Sequence, residues 1–138
     1  MAAIVFQSKF PRDLLAGKHD FDAHTFRVGL SNTAIATSVE DTTGVTPIAT
    51  GNGWTGPFTT AATPTDGAGT ASVAFADSAT ITAAGGSIPA FRYAYLYNDT
   101  VAPKALIGVA DFGASTTITD GNSFVIDFSG NAITITNV

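Results

Sequence analysis

The sequence predicts an all-β protein: a jelly-roll-like β-sandwich with one short N-terminal helix and a long loop-rich arm. Three observations carry that prediction. From Thr70 onward, apolar and polar residues alternate almost without interruption, which is the period of a strand. Turn signals at Gly85-Gly86, Asn98-Asp99, Gly113, Asp120-Gly121 and Gly130-Asn131 cut that region into short segments. No helical pattern intervenes between the segments, which points to a sandwich or jelly roll. The 138 residues show no fixed-period repeat and no linker, so residues 1–138 read as one domain. Within it we separate an N-terminal arm and helix (1–17), a loop-rich arm (32–69) and a main strand region (70–138).

The helix comes first. Ser8 can cap it, Pro11 suits a first turn, Leu14, Leu15 and Ala16 propagate it, and Gly17 stops it. So short a helix needs tertiary support, which Phe10, Leu14 and Leu15 are expected to supply by packing on the body. The period then changes to 2. In Thr25–Ser31, Phe26, Val28 and Leu30 alternate with Thr25, Arg27 and Gly29 as in a half-buried strand.

In residues 32–69, Thr37–Thr43 suits a single helical turn with Val39 inward and Glu40 and Asp41 outward. Trp54–Thr60 has strand composition. Gly51-Asn52-Gly53, Pro57, Pro64 and Asp66-Gly67 are turn chemistry in quick succession, hence a loop carrying short elements. Strands are then expected at Thr70–Ala76, Ser78–Ala83, Pro89–Asn98, Lys104–Phe112, Ser123–Phe128 and Ala132–Thr136, with a short one at Thr116–Thr119. Gly130-Asn131 is expected to join the last two long ones as a tight hairpin.

Composition narrows the function. Only 12% of residues are charged, the formal net charge is −5, and 45% are hydrophobic. Six Lys plus Arg cannot build a phosphate-binding stripe, which argues against direct nucleic-acid binding. There is no cysteine, so disulfides, thiolate metal sites and thiol nucleophiles are absent. Neither a secretory-signal pattern nor a membrane-length apolar run is present, so we expect folding in a cytoplasm and no membrane partner.

No catalytic, cofactor or metal site is expected. His19-Asp20-Phe21-Asp22-Ala23-His24 gathers both histidines with two carboxylates, but it runs from a helix stop into a strand, and a polar turn accounts for it. A hydrolase would have to draw on His19, His24 or Glu40, and no nucleophile elbow accompanies them. Asp120-Gly121-Asn122 lacks the rest of a Ca²⁺ loop, and the Asn98-Asp99-Thr100 sequon has no secretory context.

The informative segment is Phe91-Arg-Tyr-Ala-Tyr-Leu-Tyr97. Strict alternation puts Phe91, Tyr93, Tyr95 and Tyr97 on one face. Such a ladder suits either a buried central strand or an aromatic stripe at a subunit contact. Ala105–Phe112 is apolar almost throughout, which requires cover on both faces, from the 32–69 arm or from a neighbouring chain.

Several stretches resemble small structural proteins of tailed bacteriophages. They are Phe6 to Gly17, Asp22 to Leu30, Gly51-Asn-Gly-Trp-Thr55, Ala84-Gly-Gly-Ser-Ile88, Phe91 to Thr100, Leu106 to Gly113 and Asp120 to Phe128. The resemblance is to capsid cement or decoration proteins, and implies a non-enzymatic virion protein on the capsid surface. Its implied partners are the major capsid protein and further copies of itself, as a dimer or trimer. In that setting Ile4 and Phe6, in an extended arm from Ala2 to Phe6, would add a strand to a capsid sheet. Phe91, Tyr93, Tyr95 and Tyr97 would serve self-association. The alternative is a receptor- or carbohydrate-binding β module of a tail or fibre.

Overall fold

The computed structural model describes residues 3–128 and 131–136. The protein is mostly β with one short helix, and its strands form antiparallel sheets of five, three and two strands, none of them closed. The five-stranded sheet has the order β1 (Ile4–Phe6), β8 (Leu106–Ile118), β7 (Ile88–Asn98), β2 (Phe26–Ser31) and β3 (Phe58–Thr60). The three-stranded sheet runs β10 (Asn131–Thr136), β5 (Thr70–Phe75), β4 (Ala62–Gly67). The pair is β6 (Ile81–Thr82) with β9 (Ser123–Phe124).

All three sheets feed one apolar core. Phe26, Val28 and Leu30 from β2 and Ala94 and Leu96 from β7 meet Val73 and Phe75 from β5 and Ile133 from β10. Phe21, Phe26, Phe75 and Phe128 form a chain of ring contacts with centroids 5.0 to 6.0 Å apart. Strand β2 is buried on both faces, because Gly29 lies under the Tyr95 ring of the adjacent β7.

Helix α1 (Phe10–Leu15) has Pro11 in its first turn, and Gly17 ends it at φ +73°, as the sequence predicts. Ser8 is not its cap. Lys9 holds that position without a side-chain hydrogen bond, while the Ser8 N–H donates to the Thr37 carbonyl. Phe10 and Leu14 pack on the core, but Leu15 points away from it and is 90% exposed.

Four further expectations are corrected. Strand β4 falls where turns were expected: Pro64 sits on the outer strand of its sheet, where the missing N–H breaks no ladder bond, and Asp66-Gly67 opens the β4–β5 hairpin. Lys104–Phe112 and Thr116–Thr119 are parts of one long strand, with Gly113 at φ +87° taken up as an irregularity inside β8. Ser78–Ala83 and Ser123–Phe128 shrink to two-residue strands. Around them the Ser78 hydroxyl accepts from the Ile126 N–H and the Asp77 carboxylate from the Phe128 N–H. The last two strands form no hairpin with each other, since β9 pairs with β6 and β10 with β5. The expected turn at Gly130 lies outside the described residues.

Candidate interaction surface

Strand β1 closes one edge of the large sheet. Ile4, Val5 and Phe6 pair with Ala110, Val109 and Gly108 of β8. Gly108 is what lets β1 approach: a Cβ there would collide with the Ile4 side chain and stand 2.9 Å from the Val5 carbonyl oxygen. Ile4 packs on the core, and the Phe6 ring stacks on Phe10 with centroids 4.9 Å apart. The next residue anchors the strand. The Gln7 N–H donates to the Ile107 carbonyl, and its buried Nε2 donates to the carbonyls of Ala36 and Val39 at 2.9 Å each. An ion pair of 2.7 Å between Lys9 and Glu40 holds the same loop. The outer edge of β1 is unpaired among the described residues, with Val5 58% and Phe6 36% exposed.

The aromatic ladder divides in two. The β7–β8 register shifts between Ile88 and Phe91 and again between Phe91 and Tyr93, so strict alternation fails there. Phe91 turns into the main core, against Phe124 at 5.2 Å and Phe112 at 6.1 Å. Tyr93, Tyr95 and Tyr97 lie in a second cluster with Leu106 and Val109. Tyr95 and Tyr97 stack at 5.8 Å and are 4% and 5% exposed, because Ile35, Val39 and Val45 of the chain's own loop cover them. Burial pushes the Tyr95 phenol up to about 12, with Tyr97 adding to the shift, and raises Tyr97 as well. The cover required by the apolar β8 thus comes from the 32–69 arm. Tyr93 is partly exposed, and the Arg92 guanidinium lies 5.3 Å from its ring centre while paired to both oxygens of Asp111.

The two histidines converge on one amide. The Nδ2 of Asn98 lies 3.2 Å from His19 Nδ1 and 2.9 Å from His24 Nδ1. With the amide's two N–H groups assigned to them, both Nδ1 atoms act as acceptors. The Asp20 carboxylate accepts from the N–H groups of Asp22 and Ala23, an Asx-type turn. Among the described residues, no group of three or more His, Cys, Asp or Glu side chains is placed to hold a metal ion. Nor is any helix among them long and apolar enough to cross a membrane. Asn98 of the sequon is fully buried, and its Oδ1 accepts from the Thr100 N–H.

Besides Leu15, the exposed apolar side chains Val5, Phe112, Val125 and Ile135 were not singled out from the sequence. A groove of about 350 Å³ opens where α1 and the 18–24 turn meet the three-stranded sheet. Compared with protein-family models, curated proteins and solved structures, the chain matches none of them.

Proposed function

We propose that this protein is a non-enzymatic virion structural protein of a tailed phage. In this reading it binds the outside of the assembled capsid as an oligomer and cements contacts between capsomers. The observation that carries it is the exposed edge of β1. Edge strands of self-contained proteins are commonly guarded by being very short, or by Lys, Pro or bulges. At three residues β1 is short, but Ile4-Val5-Phe6 carries no Lys, Pro or bulge, and it is backed by β8 and by Gln7. Such an edge is suited to pairing with a strand of another chain, here the major capsid protein. The reading keeps Ile4 and Phe6 as contact residues but changes their geometry: the segment is already a strand of this chain and would template the next one. Tyr95 and Tyr97 contribute rigidity beneath the surface, which leaves Tyr93 as the accessible tyrosine of its cluster.

A jelly-roll-like sandwich belongs to the same proposal, supported by the shared core between the large sheet and the smaller ones. Cementing requires no chemistry. A protein that binds the closed shell stabilises it by mass action, and many copies act together. The test is re-addition of purified protein to stripped, expanded capsids. Binding with a raised disruption temperature supports the reading; a protein that neither binds nor stabilises the shells refutes it. A tail or fibre adhesin would instead give glycan or cell binding in the same preparation.

A further inference from the structure

We propose that two copies of this chain associate about a two-fold axis, each inserting Leu15 and Arg12 of α1 into the other's groove beside the three-stranded sheet. This deepens the oligomeric cement reading, on which it rests, by naming the surface that joins the copies.

The first half of the contact is a projection. Arg12 and Leu15 are three residues apart and so share one face of α1. Leu15 is almost fully exposed although its neighbour Leu14 is packed on the core. Arg12 is also exposed, and it is singular among the cations. Lys9, Lys18, Arg27, Arg92 and Lys104 each pair with a carboxylate of the chain, whereas Arg12 has no such partner among the described residues. The projection is therefore an apolar knob beside a positive charge that has no carboxylate partner among the described residues.

The second half is the groove, whose apolar lining includes Leu14, Phe21, Val73, Ile133 and Ile135. Two carboxylates, Asp22 and Asp66, stand in its wall, are exposed, and take part in no ion pair among the described residues. The groove is therefore an apolar hollow beside negative charge that makes no ion pair among the described residues. Knob and hollow match in both hydrophobicity and sign of charge.

Their positions name the occupant. Leu14 lines the hollow and Leu15, the next residue of α1, forms the knob about 100° round the helix, so both halves are carried by the same short helix. A surface carrying a feature and its complement is what an isologous contact uses, each half being made twice. A small molecule would leave Arg12 and Leu15 unexplained, and an unrelated protein would have to mimic them. A second copy already has them.

The test is sedimentation of the full chain over a concentration series. Wild type is expected to be a dimer. Leu15→Asp, at a position already in solvent, is expected to weaken dimerisation by about tenfold or more, while the melting curve of the dilute, dissociated protein stays in place. Arg12→Glu and Asp66→Arg should each weaken it, and an equimolar mixture of the two single variants should recover a heterodimer. A wild-type monomer, a closed trimer, a Leu15→Asp protein that dimerises normally, or a mixture that fails to recover would each overturn the inference. Adding the same proteins to stripped capsids keeps the two readings apart. Shell binding by a protein whose association ignores Leu15 overturns the two-fold contact alone. A Leu15-dependent dimer that ignores shells overturns the cement reading alone.

Discussion

Replacing Gly29 by Ala tests how the outer face of the large sheet is closed. Gly29 pairs with Tyr95, and its Cα is covered by the tyrosine ring: an added Cβ would overlap Cζ and the hydroxyl and lie 2.8 Å from Cε1. The ring has little freedom to yield, since it stacks on Tyr97 and is packed under Ile35, Val39 and Val45. Overpacking of this kind costs about 1–3 kcal/mol. With an unfolding entropy of about 2.1 cal/mol/K per residue, 138 residues convert that into a Tm lower by roughly 3–10 °C. Urea unfolding should show a lower midpoint at unchanged slope. The displaced phenol should also titrate closer to its ordinary 10.0 than the value of about 12 it has under the loop, which phenolate absorbance reads directly. Gly67→Ala, where no atom lies closer than 3.9 Å, is the control. An unchanged midpoint together with an unchanged tyrosine titration would refute the placement of Tyr95 over Gly29.

Three other perturbations reach different parts of the molecule. Gln7→Ala removes two side-chain hydrogen bonds to Ala36 and Val39. It should cost about 1–3 kcal/mol and speed amide exchange of Val39, whereas exchange there at the wild-type rate would show that Gln7 does not hold the loop. Burial holds His19 below its ordinary 6.5, with Asp13 opposing and Lys18 and His24 reinforcing the shift. The unfolded chain therefore binds the proton first. The contribution of His19 is complete above about 6.5 and is lost as pH falls from there through the lower folded value. Melting temperature should decline across that window in wild type and less steeply in His19→Gln; equal slopes would contradict the burial of the His19 ring. Gly108→Ala pushes β1 off β8 through the Val5 carbonyl, and should reduce shell binding more than it lowers Tm. Full shell binding with β1 displaced would remove that edge from the contact.

Much of the fold was legible because burial on one face writes period 2 into a strand. Phe26, Val28 and Leu30 announced β2, and Val73 and Phe75 stand at alternate positions of β5. The failures share a cause: local signals were outweighed by contacts distant in sequence. Pro64 reads as a break, yet an outer strand tolerates it. Gly113 reads as a turn, yet Asp111 and Thr116 on either side of it both pair with β7. Phe91 reads as a member of the tyrosine ladder, yet the register shifts rotate it into the other cluster. The edge proposed as a contact was partly legible. Ile4 and Phe6 stand out as an apolar start, but that they form an edge depends on Gly108, some hundred residues away. Leu15 looked like a core residue because a six-residue helix does not reveal which of two adjacent leucines faces inward. The groove joins the helix and the 18–24 turn to strands from both halves of the chain, which no local pattern encodes.

The low charge content takes on a specific meaning in this arrangement. Five of six cations are spent on pairs within the chain, and the sixth stands beside the most exposed leucine. Beside the carboxylates left outside these pairs, six large apolar side chains are exposed: Val5, Phe6, Leu15, Phe112, Val125 and Ile135.

The most direct test of the proposed cement role is the number of copies of this chain per purified virion, measured by quantitative mass spectrometry against the major capsid protein. The account predicts a fixed ratio to the capsid protein, amounting to hundreds of copies per particle. A handful of copies, as expected of a tail component, or none would contradict it.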